Sequence, residues 1–242
     1  MIKKLTIFNF LNNNQGSVFA CYRKHPNDIF TKTKKKKTTP RTIIMVINEN
    51  ILRSAGAETR DYKPTENLFC EGDSPHYYYQ IITGEVKLNN YNEDGKEFIQ
   101  NLLFEGQSCG ESVLFIDKPY PMNAEAITEC SVLRLHKSNF LKLLKESPEL
   151  YMKVSSFLSE RLYYKFVMML NISSQHPFTR LKGLMDYLKS FQEDVDPYSF
   201  TVPLTRQQMA SLTGICVETV IRTIKHMERD KIVRIENRKI LY

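Results

Sequence analysis

The sequence predicts an α+β fold in which a β-barrel precedes a long helix and a small helical unit that ends in a β-hairpin. Residues 61–136 carry short apolar runs separated by turn residues, a pattern typical of a barrel or sandwich. Residues 138–171 change to helical period, because their apolar residues recur at three- and four-residue steps. Residues 203–227 predict two helices joined at Gly214. The expected parts are a tail (1–44), a barrel (45–148), a long helix (149–171) and a C-terminal unit (172–242).

Composition excludes several classes of protein. The chain has 242 residues, of which 42% are hydrophobic and 25% charged, so a packed core is expected. No stretch approaches the roughly 18 uninterrupted apolar residues that a membrane helix needs. The first apolar stretch is short, broken by asparagines and followed by no small-residue cleavage site. We therefore expect no signal peptide, no membrane partner and a cytoplasmic location.

The five cysteines and five histidines are too dispersed for a local metal site. No two cysteines lie closer than 21 residues, whereas zinc and iron–sulfur sites need closely spaced ligands. Because five is an odd number, a complete disulfide framework is not expected either. We predict neither a metal nor a bound cofactor.

The net charge of +7 is unevenly distributed. Residues 1–44 hold ten basic and one acidic residue, residues 45–171 hold 13 and 18, and residues 172–242 hold 11 and 8. An acidic middle followed by a basic end is typical of a sensor attached to a nucleic-acid-binding unit.

The N-terminal tail shows neither helical nor strand period and includes the run Lys34–Lys37, so disorder is expected. Met45 opens a more regular amphipathic stretch. Two interpretations remain open. Either translation naturally starts at Met45, or the tail is a basic arm that adds non-specific affinity for DNA.

Glycine-containing turns divide the predicted barrel into strands. The clearest is Asp94-Gly95, since Asp-Gly tolerates the positive φ angles of a hairpin turn. The expected strands cover residues 67–70, 77–82, 85–88, 97–104 and 124–135.

Ser138 is the expected N-cap of a short helix over Asn139–Lys145, and Pro148 suits the first turn of the helix that follows. That long helix is predicted over Glu149–Asn171. One apolar stripe runs along it, formed by Val154, Leu158, Leu162, Phe166 and Met169. The stripe predicts packing against the same helix of a second copy, as in a coiled coil. The alternative is that it packs only on its own barrel.

The C-terminal unit is expected to begin with an amphipathic helix over Arg180–Phe191, followed by a polar loop over Gln192–Phe200. The next helix has Thr205 as its N-cap, with Gln208 three residues later to complete a capping box. Ala210 is small enough for a second helix to cross closely, and Gly214 supplies the left-handed turn. The resulting helix-turn-helix is a motif whose second helix enters the major groove of DNA.

The second helix is expected to start near Val217 and to bury Val220, Ile224 and Met227. The opposite side, here called the recognition face, consists of Val217, Glu218, Ile221, Arg222 and Lys225. The last residues, Ile232–Tyr242, predict a β-hairpin wing with its turn near Asn237.

The recognition face carries groups that suit base edges. Arg222 can donate two hydrogen bonds to guanine, Glu218 can accept one from cytosine, and Val217 can contact a thymine methyl group. The side chains expected on phosphates are Thr205, Arg206, Gln207 and Thr219. The alternative is a solvated helix face, on which Glu218 and Arg222 form an ordinary ion pair.

From about residue 50 to 242 the chain resembles the Crp/Fnr family of bacterial transcription regulators. The resemblance rests on Glu71-Gly72-Asp73, Gly84-Glu85-Val86, Gly110-Glu111, Ala124-Glu125-Ala126, Leu204–Gln207 and Glu218–Arg222. It implies a double-stranded β-helix (jelly-roll) barrel of the cyclic-nucleotide-binding type, a dimerisation helix and a winged helix-turn-helix. It also implies double-stranded DNA, a second copy and RNA polymerase as partners. Val217 is the residue of the Fnr branch, which suggests a TTG-like half-site.

The effector site departs from the family's cAMP-binding members. The predicted pocket residues are Gly110, Glu111, Ser112, Tyr120, Pro121, Arg161 and Lys165. Tyr120-Pro121 stands where the resemblance places an Arg-Ser pair on the cyclic phosphate, and Lys165-Phe166 replaces the Thr-Ser pair at the adenine. A cyclic phosphate would lose its charge partner, so we expect that cAMP is not the effector. The cysteine cluster of the oxygen-sensing branch is missing, so no iron–sulfur cluster is expected.

Two other functions are weaker. An enzyme would have to use Glu111, Tyr120 and His136, which form no recognisable set of nucleophile, base and orienting group. A nucleotide-sensing module acting on another protein would leave the helix-turn-helix unexplained. The sequence therefore favours a DNA-binding regulator that is not an enzyme.

Overall fold

The computed structural model describes residues 46–190 and 196–242. The predicted tail, Met45, Phe191 at the end of a predicted helix and residues 192–195 of the predicted loop lie outside the described residues.

Eight strands build two four-stranded sheets, here together called the β-roll. The strands are β1 (Glu58–Tyr62), β2 (Asn67–Phe69), β3 (Tyr77–Thr83), β4 (Val86–Tyr91), β5 (Glu97–Leu103), β6 (Ser108–Cys109), β7 (Asn123–Ala126) and β8 (Cys130–His136). Their order is β1-β8-β3-β6 in the first sheet and β2-β7-β4-β5 in the second. All pairings are antiparallel, and the chain crosses between the sheets at every connection except the one between β4 and β5, in the jelly-roll manner. The expected barrel is confirmed.

The inner faces of the two sheets form one apolar core. Ile81 and Val132 of the first sheet meet Val86 and Ala124 of the second, and all four are fully buried. The single strand predicted over residues 124–135 is wrong, because the chain leaves β7 at Ala126 and joins the other sheet as β8. The sequence pattern does not reveal this change of sheet, because both segments bury alternate residues.

The segment before the β-roll is held by a buried glutamine. Ile47 is fully buried, and its N–H donates to Oε1 of Gln80 at 3.0 Å. The Gln80 amide in turn donates to the Ile47 carbonyl at 2.7 Å, and the Tyr78 hydroxyl also donates to Oε1. Every polar group of this buried amide is therefore used, which fixes the chain ahead of helix α1 (Glu49–Ser54).

Four helices follow the opening helix before the helix-turn-helix. They are α2 (Glu111–Leu114), α3 (Lys137–Glu146), α4 (Pro148–Ser173) and α5 (Pro177–Lys189). The predicted N-cap Ser138 is wrong, because the His136 ring nitrogen accepts from the Ser138 N–H and α3 starts one residue after His136. Helix α4 is longer at both ends than predicted. Helix α5 starts three residues earlier than predicted, with Pro177 in its first turn.

Helix α4 packs into two different apolar cores along its length. Its first turns bury Leu150 and Val154 against α3 and the outer face of the first sheet. Its later turns bury Tyr164 and Met168 in the core of the C-terminal unit. The predicted stripe is thus divided, since Val154 is 1% exposed whereas Leu162, Phe166 and Met169 are 54%, 58% and 63% exposed.

The C-terminal unit is a winged helix-turn-helix, as expected. Its remaining elements are α6 (Arg206–Thr213), α7 (Val217–Arg229), β9 (Arg234–Glu236) and β10 (Lys239–Leu241). The hairpin turn places Asn237 and Arg238 at φ angles of 49° and 65°. The backbone of Val202 donates to Ile240, and Phe200 and Tyr242 exchange backbone hydrogen bonds, so the strand pair is tied to the chain entering α6.

The second sheet contributes to the core of the C-terminal unit. Ile99 of β5 is 3% exposed and belongs to the same apolar cluster as Met209, Ile224 and Met227, with Leu102 packed against it. These two β5 side chains point away from the interior of the β-roll. The outer face of β5 therefore forms part of the core of the C-terminal unit.

None of the helices in the described part of the chain has the length and apolar composition needed to cross a membrane.

Gly84, in the turn between β3 and β4, is predicted to tolerate no side chain. Its φ is +96°, and a Cβ there would lie 2.9 Å from the Cα of Cys130, which cannot move without moving β8. Gly95 is the matched control, because its φ is +72° but no atom lies within 4 Å of an added Cβ. We expect Gly95→Ala to lower the free energy of unfolding by about 1 kcal/mol, from backbone strain alone.

We expect Gly84→Ala to cost at least about 2 kcal/mol more than the control, because steric overlap adds to the backbone strain. Urea unfolding followed by circular dichroism measures both. Equal losses for the two variants would show that β8 yields easily at this point.

Candidate nucleic-acid interface and effector cavity

The helix-turn-helix begins with a complete capping box. The Gln208 N–H donates to the Thr205 hydroxyl at 3.1 Å, and the Thr205 N–H donates to the Gln208 side-chain oxygen at 2.9 Å. Two of the backbone donors at the start of α6 are thus satisfied locally. The predicted cap is confirmed.

The turn between α6 and α7 is fixed by a residue that the sequence pattern did not reveal. Gly214 adopts the predicted left-handed conformation, with φ at 69°. The Arg180 guanidinium donates to the Thr213 carbonyl at 3.0 Å and to the Ser174 carbonyl at 2.7 Å. Arg180 therefore joins the end of α4, the start of α5 and the turn. Its position on an amphipathic helix gave no signal of this role.

The recognition helix divides as predicted. Val220, Ile224 and Met227 are buried, whereas Glu218, Ile221, Arg222 and Lys225 are exposed and Val217 is half-buried. Arg222 and Lys225 form no ion pair with any of the described residues, so the ion pair suggested as the alternative for Glu218 and Arg222 is not formed. Their cationic groups therefore remain available to DNA.

The residues predicted to contact phosphates lie beside the recognition face. Thr205 and Gln207 are exposed, and Thr219 is half-buried in the first turn of α7, where its hydroxyl lies 2.9 Å from the Cys216 thiol. The Arg206 guanidinium donates one hydrogen bond, to the Arg238 carbonyl in the wing turn at 2.7 Å. That contact joins α6 to the wing.

The seven predicted pocket residues surround one cavity of about 200 Å³ between the β-roll and α4. Three elements supply these residues. The start of α2 contributes Gly110, Glu111 and Ser112, and the loop before β7 contributes Tyr120 and Pro121. Consecutive turns of α4 contribute Arg161 and Lys165. The rest of the lining is apolar, and consists of Phe69, Leu88, Val113, Met122, Leu158 and Leu162.

An ion pair crosses from the β-roll to α4 at the inner end of the cavity. Glu111 is fully buried, and its Oε1 accepts a 2.5 Å hydrogen bond from the Arg161 guanidinium. The same guanidinium nitrogen also donates to the Ser108 carbonyl at 3.1 Å. The second carboxylate oxygen, Oε2, is buried without a hydrogen-bond partner among the described residues. One oxygen thus joins the two elements, and the other makes no hydrogen bond within the described residues.

Aromatic rings occupy the part of the cavity next to Gly110. The Tyr120 ring stacks on Phe69 with centroids 3.7 Å apart, and its hydroxyl donates to the Tyr77 carbonyl. Burial raises the pKa of Tyr120 well above its usual value, so the phenol stays neutral. Gly110 has a φ of +83°, and a Cβ there would lie 3.2 Å from the Tyr120 ring. Glycine therefore permits the ring to lie against this turn.

Lys165 lies at the outer end of the cavity. Its amine donates to the Gln100 side chain of β5 at 2.5 Å. Partial burial and the neighbouring Arg161 lower the pKa of Lys165 from its usual value. Two cationic residues of α4 thus line the cavity, and Glu111 is the acidic residue of its lining.

The described residues contain no group of three or more His, Cys, Asp or Glu side chains that could hold a metal ion. The thiols of Cys70, Cys109, Cys130 and Cys216 are free, and burial raises the pKa of Cys109.

Arg161→Ala is expected to lower the free energy of unfolding by about 3 kcal/mol, because it leaves the buried Glu111 carboxylate without its cation. The double variant Glu111→Gln/Arg161→Met should recover more than half of that loss, since it buries no unpaired charge. Urea unfolding of the three proteins provides the comparison. A double variant at least as unstable as Arg161→Ala would contradict the assignment.

Two family models match the chain. The cyclic nucleotide-binding domain matches residues 59–147 and the Crp-like helix-turn-helix domain matches residues 180–242, which together are more than half of the sequence. Among curated proteins, the chain is similar to the cAMP-activated global transcriptional regulator CRP of Haemophilus influenzae. The two are 26% identical over 183 residues, which cover 74% of this chain and 81% of that protein.

Solved structures have the same fold. A CooA mutant from Carboxydothermus hydrogenoformans superimposes with a TM-score of 0.69 at 15% identity, covering 80% of this chain and 85% of that one. The c-di-GMP-responsive global regulator CLP of Xanthomonas campestris gives a TM-score of 0.65 at 20% identity, covering 78% and 95%. With the matched domains and the geometry of both sites, these likenesses place the chain in the Crp/Fnr family of DNA-binding transcription regulators.

Proposed function

We propose that the chain acts as a homodimer that binds a two-fold symmetric operator and is controlled by a small molecule in the cavity beside α4. The observation that carries the DNA-binding part is the recognition face, on which Glu218, Ile221, Arg222 and Lys225 are exposed together on one side of α7. Arg222 donates to guanine and Glu218 accepts from cytosine in this proposal. Thr205, Gln207 and Thr219 bind the flanking phosphates.

The exposed side of α4 supports the dimer. Seven large apolar side chains of this helix are 47% to 71% exposed in the single chain. They are Tyr151, Met152, Leu162, Tyr163, Phe166, Met169 and Leu170. At about 100° per residue they all fall within an arc of about 120°, whereas the residues buried in the chain's own cores fall on the adjoining side. An apolar helix face of this extent needs a partner, and a second copy of α4 supplies one of the same length and character.

The dimer sets the spacing of the two recognition helices. A two-fold pair must place them about 34 Å apart to reach half-sites one turn of DNA apart. In each chain, the angle of α4 to its own helix-turn-helix is fixed by Tyr164 and Met168, which lie in the C-terminal core. A change in the packing of the α4 pair therefore changes the spacing of the two recognition faces.

The cavity and the helix-turn-helix are connected through two shared elements. On α4, Arg161 and Lys165 line the cavity, while the intervening Tyr164 is buried in the C-terminal core. On β5, Gln100 bonds to Lys165, while the neighbouring Ile99 is buried in that same core. We propose that a ligand acts through these two contacts and shifts the population of DNA-binding dimers.

In this proposal cyclic AMP is not the ligand of the cavity. Tyr120 is neutral and already bonded to Tyr77, and Pro121 has no side-chain donor, so neither residue can replace a cation on a cyclic phosphate. The proposal therefore includes neither cAMP nor an iron–sulfur cluster. It includes RNA polymerase as the partner on the promoter, no catalytic activity, and action in the cytoplasm, where bacterial DNA lies.

Arg222→Ala and Glu218→Ala are each expected to lower affinity for the selected operator about 10- to 100-fold, because each removes a contact to a base edge. The operator comes from random-pool selection with the purified protein, and affinity is measured by fluorescence anisotropy. Arg229→Ala is the matched control, since Arg229 is exposed in the last turn of the same helix. A loss for Arg229→Ala equal to that for Arg222→Ala would mean that charge alone, and not base recognition, explains the contribution of Arg222.

Phe166→Glu is expected to convert the dimer into a monomer, because it places a charge in the apolar arc of α4. Lys153→Glu is the control, since Lys153 is exposed on the opposite side of the helix. Size-exclusion chromatography with light scattering measures the mass, and operator affinity should fall together with dimerisation. A Phe166→Glu variant that stays dimeric would place the interface elsewhere.

A further inference from the structure

We propose that the cavity beside α4 binds a one-ring aromatic monoanion that also carries a hydrogen-bond donor, such as a hydroxybenzoate. The inference rests on the proposed function, since it names the ligand class of the regulatory site. It follows from the size, the lining and the charge of the cavity.

The size of the cavity favours a single ring. Its volume is about 200 Å³. A dry protein cavity of about 150 Å³ accepts benzene, whereas pockets for larger ligands start at about 300 Å³. A benzene ring with two small substituents fits this space. A purine joined to a ribose and a phosphate exceeds it.

The lining favours an aromatic ligand body. The stacked pair of Phe69 and Tyr120 forms one wall, and Leu88, Val113 and Leu158 are among the apolar residues of the rest. The Tyr120 hydroxyl donates to Tyr77. This wall therefore presents the faces and edges of aromatic rings to the ligand. A flat aromatic ligand can stack against the whole of such a wall.

The inner end of the cavity requires a donor. Glu111 is fully buried, its Oε1 is held by Arg161, and its Oε2 has no partner among the described residues. A buried carboxylate oxygen without a hydrogen bond is costly, and a donated O–H or N–H from a ligand removes that cost. A hydroxyl on the ring is such a donor.

The charge balance favours an anion at the outer end. Glu111 and Arg161 neutralise each other, so Lys165 is the cation left without a carboxylate partner among the cavity-lining residues. Its amine bonds to the neutral Gln100 amide, which a ligand carboxylate can displace. Lys165 lies one helical turn, about 6 Å along the axis, from Arg161. The substituents of a para-substituted ring span a comparable distance.

The proposed dimer would complete this site. Leu162 lines the cavity and also belongs to the apolar arc of α4. A partner helix packed on that arc would cover the outer end of the cavity and exclude water from the pair formed by Lys165 and the ligand anion. Exclusion of water strengthens such a pair.

The test is isothermal titration calorimetry on the full-length protein with 4-hydroxybenzoate, benzoate, phenol and cAMP. We expect 4-hydroxybenzoate to bind at least 10-fold more tightly than benzoate, which lacks the donor, and than phenol, which lacks the anion. We expect cAMP to bind more weakly than 4-hydroxybenzoate. If benzoate or phenol binds as well as 4-hydroxybenzoate, if cAMP binds as tightly, or if no probe binds, the inference is wrong.

Variants locate the site. Lys165→Met should weaken 4-hydroxybenzoate at least 5-fold and leave phenol unchanged, while Lys153→Met, on the opposite side of α4, should change neither. Glu111→Gln should weaken phenol, because it removes the carboxylate that accepts the phenol hydroxyl. Loss of the same affinity in Lys153→Met would indicate surface binding and overturn the assignment.

Separate measurements test the ligand class and the DNA-binding function. Operator selection and affinity are measured separately, on the same protein preparation. A dimer that selects a palindromic operator but binds no hydroxybenzoate would contradict the proposed ligand class alone. A protein that selects no operator, with or without ligand, would contradict the proposed function.

Discussion

The organisation of this protein depends on one constraint, which is that helix α4 carries apolar side chains on too many sides to be buried by any single neighbour. Leu150 and Val154 pack on the β-roll, and Tyr164 and Met168 pack in the C-terminal core. The arc around Phe166 remains exposed in the single chain. Because one stiff helix belongs to all of these contacts, none of them can be rearranged without affecting the others.

The Glu111–Arg161 pair is the point where that helix is fixed to the sensing cavity. A buried ion pair contributes little net stability, because removing two charges from water offsets most of their attraction. Its value here is positional, since it holds α2 and α4 in one register and leaves Oε2 of Glu111 for a third group. Strand β5 provides a second link, because Gln100 meets Lys165 while Ile99 enters the core under the helix-turn-helix.

Prediction from sequence worked best where a local rule decides the outcome. The capping box at Thr205, the left-handed Gly214 and the buried trio on α7 depend on neighbours within one or two turns, and all three are as expected. It failed where two local solutions compete. His136 replaces Ser138 as the cap of α3, since the strand β8 runs up to His136 and leaves no room for a later start.

The sequence by itself determined the order of the elements, the face of α7 that is offered to DNA and the residues that gather around the cavity. These follow from periodicity, from caps and from a family resemblance whose motifs are short and local. Only the tertiary structure decided which half of the α4 stripe is buried, that β5 enters the C-terminal core and that Arg180 holds the turn. Each of these depends on contacts between residues far apart in the chain, and periodicity reports that a face is apolar but not what covers it.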